Sequence, residues 1–442
     1  MTEILDLEKN TGAINIACIG TGFVGVVTAI VFAKIGHNVV GLDIDKEKIN
    51  SLSKGKTPFY EPHLSKLLSE TLKNKNLSFT DSYKKATSRA DVIFIMVGTP
   101  SAPDGQADLK YIIKASESIA KHIKDNAIIV IKSTVPPSTN KKVEKIVSAH
   151  TQKHFTVASV PEFLKEGSAV ENSLHPQRVL IGSNDNNTIE ILTKLHKPLT
   201  ENIIVMKPES AQMAKYAGNV YLAQRITFIN QIADLCEKNG ADIQEVIQGI
   251  GTDKRIGEHY WYPGLGYGGS CFPKDVKEIA AYSKAVGEAD SLFIKIDELN
   301  EKRAEKLMTK YDEHIGGFEG KTVAVLGLSF KPNTNDMRKS PALEVIPFLL
   351  SKGATVHATD PQTINDAKNL LAKGIKYYDN PYDTTKGANI TILLTEWDEY
   401  KSLDLKKIST NMNNPKVFID TRNQYSKEEI QSHGLKYKGT GR

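Results

Sequence analysis

Short apolar runs of strand length alternate with amphipathic stretches over the first half of the chain. Residues 14–19, 38–43, 92–97, 127–131 and 156–159 are such runs. Between most of them, apolar residues return at three- and four-residue spacing. That alternation predicts a parallel sheet with helices on both faces. Pro58, Pro62, Pro100 and Pro103 fall in the connections, where a residue without an amide proton is tolerated. Past residue 208 the pattern turns helical, and residues 211–239 form one long run of helix formers. A second alternation begins near Lys321, with strands predicted over 322–327 and 354–360 and a helix over 340–352. Residues 437–442 read as a loose tail.

A length of 442 residues exceeds what one hydrophobic core serves. Composition is that of an ordinary globular chain, 40% hydrophobic and 25% charged. The net charge of +5 is small, and the lysines are scattered, so nucleic acid is not an expected partner. Three cysteines without metal-type spacing argue against a disulfide framework and against a metal site. Cys18 lies in a predicted strand and Cys236 in a predicted helix, where a thiol behaves as a small hydrophobe. Residues 1–10 lack the apolar core of a signal peptide. No apolar run approaches the roughly 20 residues that span a bilayer. A cytoplasmic protein without a membrane partner is expected.

Gly20-Thr21-Gly22-Phe23-Val24-Gly25 follows a predicted strand and opens a predicted helix, and Asp43 ends the next strand. In that context the three glycines serve a tight turn, the approach of a pyrophosphate, and close packing of helix on strand. The helix N-terminus offers amides and partial positive charge to the phosphates. Asp43 suits the ribose hydroxyls and repels a 2′-phosphate, so NAD is favoured over NADP. FAD finds no second supporting motif. The fold class is therefore α/β: two Rossmann-like doubly wound parallel-sheet domains joined by a long central helix and a helical middle domain. The expected divisions are 1–205, 206–310 and 311–442. Lys48 lies within reach of a phosphate, and Thr99 and Thr134 each follow a strand at the edge where such sheets bind ligands. A capping or turn role is equally open to both threonines.

The chemistry concentrates in Gly266-Tyr-Gly-Gly-Ser-Cys-Phe-Pro-Lys-Asp275. Glycines let backbone approach a ligand closely. A thiol there, Cys271, close to the cation Lys274, is placed as a nucleophile. Glu162 and Glu166 are four residues apart, on one face if helical, with a solvated helix start as the bland alternative. Lys215 and Asn219 share the same spacing in the long helix, where exposure is again the default.

Taken together, the Gly20–Gly25 turn, Gly98-Thr-Pro, Lys132-Ser-Thr-Val-Pro, Pro161-Glu-Phe-Leu-Lys-Glu, Lys215-Tyr-Ala-Gly-Asn, the cysteine loop and Phe330-Lys-Pro-Asn-Thr-Asn-Asp-Met-Arg338 resemble the UDP-glucose/GDP-mannose dehydrogenase family, from Ile16 to about Tyr425. The resemblance implies a four-electron, NAD-dependent oxidation of a sugar-nucleotide primary alcohol to a carboxylate, with Cys271 holding the aldehyde and then the acyl group. It implies that Lys215 stabilises an alkoxide with help from Asn219, and that Asp275, Thr134 and Glu162 position or activate water. It places Glu166 and Lys274 near the nicotinamide, Arg338 at the cofactor pyrophosphate, and Lys331 beside Phe330 at the UDP diphosphate. Further substrate contacts are implied for Phe163, Leu164, Lys165, Gly268 and the segment Tyr260, Trp261, Tyr262, Pro263 and Gly264. Arg255 corresponds to an arginine that crosses to a neighbouring subunit, so a homodimer is implied. The form Gly-Gly-Ser-Cys-Phe-Pro-Lys-Asp favours UDP-glucose, with a UDP-N-acetylhexosamine or GDP-mannose as the alternative. Val160, where the family usually carries asparagine, and the aromatic run 260–262 depart from the pattern. A two-electron hydroxyacid dehydrogenase would share the first domain but needs neither the cysteine nor a second α/β domain. A non-catalytic NAD-binding module is the remaining reading.

Overall fold

The computed structural model describes residues 12–442, and the acidic segment 1–10 lies outside the described residues. The first sheet contains β1 (Asn15–Ile19), β2 (Asn38–Leu42), β3 (Leu77–Thr80), β4 (Val92–Ile95), β5 (Ala127–Ile131), β6 (Phe155–Ser159), β7 (Val179–Gly182) and β8 (Ile203–Met206). Its order is β3-β2-β1-β4-β5-β6-β7-β8. Neighbours run parallel except β6 and β7. The first six strands have the doubly wound order, whose reversal between β1 and β4 opens a crevice at the carboxyl edge. β4 and β5 are buried at every position because apolar side chains cover both faces.

The second sheet contains β9 (Thr322–Leu326), β10 (Thr355–Thr359), β11 (Lys376–Tyr377), β12 (Ile390–Leu393), β13 (Val417–Asp420) and β14 (Lys436–Gly439). It is wholly parallel and repeats the order, β11-β10-β9-β12-β13-β14. Between the sheets in sequence stand the long helix Pro208–Asn239 and the helix Phe272–Ala285 that follows the cysteine. The chain divides into two compact units, residues up to 218 with 281–287, and residues 219–280 with 288–442. The helical middle is thus shared between them, and the long helix begins in one unit and ends in the other.

The C-terminal tail is not loose. Residues 436–439 form edge strand β14 with Tyr437 buried. The Gly441 amide donates to Glu237 at 2.7 Å, and Arg442 pairs with Asp242 at 2.8 Å. A short strand with alternating lysines is how a sheet edge stays soluble, and such a pattern reads as a polar end. Among the described residues no helix is long and apolar enough to cross a membrane.

Candidate active site

At the carboxyl end of β1 the chain turns through Gly20 into the helix Phe23–Lys34. A Cβ at Gly25 would lie 1.8 Å from the Gly20 carbonyl oxygen, so only glycine lets helix and turn meet. At Gly22 a Cβ would meet nothing within 4 Å, which leaves open space over the turn. Phe23 packs its ring 4.8 Å from Phe59, and Val24 lies against the core. Asp43, just past β2, accepts hydrogen bonds from the Thr21 amide (3.0 Å) and hydroxyl (2.8 Å) and from the Asp45 amide (3.1 Å). Burial pushes its carboxyl up, but these donors and Lys48 hold it below the ordinary range, as an anion. Open space at Gly22 beside a fixed carboxylate fits NAD, with the turn for its pyrophosphate and Asp43 for its ribose.

Lys48 extends to Asp43, 3.0 Å away, where the sequence had it reaching a phosphate. Lys48 stands in the first turn of the helix Lys46–Ser53, five residues past Asp43, which brings the two opposite charges together. The Thr99 hydroxyl donates to the Thr134 carbonyl at 2.8 Å, which ties together the chain segments leaving β4 and β5. Thr99 is buried; Thr134 stays half-buried at the same sheet edge.

After β6 the chain enters an irregular segment, residues 161–168, rather than a helix. Glu162 and Glu166 therefore do not share a helical face. Gly167 adopts φ +82°, which breaks any turn before Ala169. Glu162 turns inward and accepts from the Leu164 amide and from Lys215 of the long helix, at 2.9 Å to the latter. Lys215 and Glu162 are 3% and 7% exposed, so this pair is not a solvated surface bridge. Burial raises the Glu162 carboxyl, but Lys215, the Leu164 amide and Lys132 outweigh it and keep it low. The Phe163 ring lies 4.2 Å from the Arg178 guanidinium and 5.2 Å from the Lys215 ammonium. Leu164 packs against the core, Lys165 is exposed and Glu166 half-buried.

Lys132 was not singled out by sequence, although its motif was. It directly follows Ile131, the last residue of β5, whose carbonyl accepts from the amide of Val160, two residues before Glu162. Burial lowers its pKa to about 8, against the pull of Glu162 and Cys18, with Lys215 adding to the lowering. Its place at the carboxyl end of a central strand was the available signal.

In the second unit Cys271 caps the helix Phe272–Ala285, its carbonyl accepting from the Asp275 amide at 2.8 Å. The residue is half-buried, and its sulfur lies 3.6 Å from the Ser270 hydroxyl. A helix N-terminus favours a thiolate. One turn on, Asp275 is fully buried, held by Asn219 at 2.6 Å and Lys274 at 2.6 Å. Lys274 also pairs with buried Glu278 at 3.1 Å, a residue overlooked in the sequence although it sits one turn along. Burial would lower the Lys274 ammonium, but Asp275 and Glu278 raise it well above its usual value. Asn219 is 8% exposed, and with Lys215 one turn before it on the same helix, neither shows the surface exposure that spacing alone suggests.

The cysteine loop packs on the segment after β9. The Gly269 amide donates to the Arg338 carbonyl at 3.0 Å, and a Cβ at Gly268 would lie 2.1 Å from the Lys339 carbonyl oxygen. Gly268 is thus explained by backbone contact. Lys331 lies 5.2 Å over the Phe330 ring, and Arg338 pairs with Asp336 at 2.7 Å. Tyr260 has φ +66°, with its ring 6.2 Å from Phe272 beside the cysteine. Tyr262 is exposed, and Pro263 and Gly264 are buried, the Gly264 amide donating to Asn230 at 2.8 Å. Trp261 packs against the helical cluster of Ile229, Ala233, Cys236 and Ile243. It stacks 3.8 Å from Arg225 and donates to the Gly257 carbonyl at 2.8 Å. Arg255 is 88% exposed and pairs with Asp253. Among the described residues no three His, Cys, Asp or Glu side chains gather in a way that holds a metal ion.

A phosphate-binding turn with an acid at the next strand, and a second sheet of the same winding, define a Rossmann-type nucleotide-dependent dehydrogenase. The comparisons narrow the class. The chain matches the NAD binding, central and UDP binding domains of the UDP-glucose/GDP-mannose dehydrogenase family over residues 14–200, 209–302 and 324–427. It is 42% identical to UDP-glucose 6-dehydrogenase TuaD of Bacillus subtilis, covering 97% of this chain and 93% of that one. It is 40% identical to a UDP-glucose 6-dehydrogenase of Rhizobium meliloti, covering 97% and 99%. The solved UDP-glucose dehydrogenase of Pyrobaculum islandicum superposes with a TM-score of 0.91 at 36% identity, covering 98% and 99%. This chain belongs to the UDP-glucose/GDP-mannose dehydrogenase family.

Proposed function

We propose that this protein oxidises the C6 alcohol of UDP-glucose to the carboxylate of UDP-glucuronate, with two NAD reduced per sugar. Curated UDP-glucose 6-dehydrogenases at about 40% identity over nearly the whole chain support the substrate. The observation that carries the four-electron course is Cys271 at a helix N-terminus, with buried Asp275 one turn on and bonded to Asn219.

Bound NAD supplies the hydride acceptor for both oxidations. Lys215, fixed by Glu162, places a cation where an alkoxide forms. The Cys271 thiolate adds to the aldehyde carbon, a C–S bond forms, and the carbonyl electron pair takes up a proton. Loss of a hydride from that carbon and a proton from the oxygen then leaves a thioester. Water adds to it, the C–S bond breaks, and thiolate, carboxylate and protons result. Asp275 and Asn219, with Thr134 and Glu162, hold the water in this reading; Glu166, Lys274 and Arg338 serve the cofactor, and Lys331 the diphosphate.

We assign a homodimer on two supports. Tyr221, Phe228 and Leu235 recur seven apart on the long helix and are 53%, 49% and 55% exposed, an apolar row in want of a partner. Arg255 is 88% exposed and held by Asp253 at 2.6 Å. Three free thiols and use of NAD accord with the cytoplasm.

The deciding experiment counts NADH per sugar over a panel of UDP-glucose, UDP-N-acetylhexosamines and GDP-mannose. Two NADH per UDP-glucose is expected; one would mean a simple dehydrogenase and none a binding module. Cys271→Ser is expected to abolish net acid formation, and wild-type steady-state acid output from it would sink the covalent course. Lys215→Ala is expected to lower kcat by about a hundredfold or more with NADH affinity nearly intact. An unchanged kcat would remove the alkoxide role.

A further inference from the structure

Outside the residues discussed so far, one buried carboxylate reaches the irregular segment 161–168 from a distant part of the chain. Glu61 is 5% exposed and stands in the connection before the helix Leu64–Lys73. Its Oε2 accepts from the Gly167 amide and its Oε1 from the Ala169 amide, both at 2.7 Å, across 106 and 108 residues of sequence. A carboxylate loses several kcal/mol on burial unless its oxygens are bonded, on the order of the desolvation cost of any single ion. Two short charge-assisted bonds offset that loss and fix geometry more strictly than apolar packing does.

What is fixed matters. The segment has no ladder of its own. Its beginning is held where the Val160 amide meets the Ile131 carbonyl at 3.0 Å, and its middle where the Lys165 amide meets Asn172 at 3.1 Å. Glu61 closes the far end, at the glycine with φ +82° that redirects the chain. Between those anchors lie Glu162, which grips Lys215, and Phe163 against the same ammonium. Two residues before Glu61, Phe59 leans on Phe23 at the glycine turn, 4.8 Å between ring centres. One connection therefore touches the cofactor turn with one side chain and the segment 161–168 with another.

We propose that Glu61 is a positioning residue for substrate: its carboxylate sets the segment 161–168 so that Glu162 and its neighbours meet the sugar nucleotide. This rests on the reading of that segment as substrate-contacting. Glu61→Gln keeps the shape but can offer an oxygen to only one of the two amides. It is expected to raise the KM for UDP-glucose about tenfold, the effect of one lost bond to a charged group. The KM for NAD should stay within about twofold, because the Phe59 contact is untouched. Phe59→Leu should do the reverse. A Glu61→Gln enzyme with unchanged UDP-glucose KM, or with both KM values raised alike, overturns the proposal. If that variant does not fold, Asn172→Ala frees the Lys165 amide of the same segment and must raise the UDP-glucose KM; no rise overturns it equally. Failure of the wild type to yield two NADH per UDP-glucose would instead count against the function, since the Glu61 result is read as a ratio to wild type.

Discussion

The two sheets have the same winding, and both place an aspartate just past or at the end of the second strand's turn, yet they use it oppositely. Asp43 stands beside the glycine turn with its side chain 12% exposed, while Asp360 is 3% exposed and saturated. Asp360 accepts from the amides of Leu328 (2.7 Å), Ser329 (3.0 Å), Gln362 (2.9 Å) and Thr363 (2.9 Å) and from the Trp397 indole (3.2 Å). The turns differ accordingly. Gly20 leads at once into a helix at Phe23, whereas Gly327 leads into fourteen further residues before the helix Ala342–Ser351. One fold thus yields a ligand-ready acid in the first unit and an internal staple in the second. The lesson is that topology places a carboxylate, but the donors around it decide whether it serves a ligand or the fold.

The largest effect that would test this contrast is on stability. Asp360→Ala leaves these four amides without their acceptor and is expected to cost about 4 kcal/mol of unfolding free energy, with NADH affinity unchanged. Chemical denaturation and NADH titration check it; a weakened cofactor site with intact stability would reverse the assignment. Asp43→Ala should cost less stability and instead weaken NAD binding by about 2 kcal/mol, roughly thirtyfold. It should also narrow the preference for NAD over NADP, because Lys48 loses its partner and faces the 2′ position. Kinetics with both cofactors measure this, and an unaltered NAD KM would break the comparison.

The smallest effect is a divergence with pH. In the first unit burial lowers His37, and burial, then Lys132 and His37, lower His196 to about 3. Both bind a proton less readily folded than unfolded, so the unfolded chain binds protons first as pH falls below about 6.5, and stability is lost from there downward. In the second unit burial raises Asp420 to about 6 despite the amides of Tyr425 and Arg422. Its contribution is full below about 3.9 and lost as pH rises through 6, the opposite slope. Hydrogen exchange at pH 7 and pH 5 should show first-unit amides loosening relative to those of the second unit. His196→Phe should shrink that difference, and equal responses in the two units would contradict it.

Much of the first sheet was legible because β1, β4 and β5 are buried on both faces and so read as unbroken apolar runs. β3, β7 and β8 were missed: all three are only four residues long, and in β3 and β8 buried and exposed positions mix, too short for a period. The glycine turn and Asp43 were readable from spacing alone. The positions of Lys215 and Asn219 were readable only as a helical pair, because their burial depends on Glu162 and Asp275, which lie far away in sequence.

Lys215 and Asn219 occupy successive turns of one uninterrupted helix, Pro208–Asn239. Their separation is therefore about 6 Å along a hydrogen-bonded rod, not the sum of loop positions. Inserting one residue between them would swing everything downstream by about 100° while leaving every side chain chemically intact. The rod acts as a gauge block: it makes the distance between the two groups a property of backbone geometry, tolerant of surface change and intolerant of any change in length.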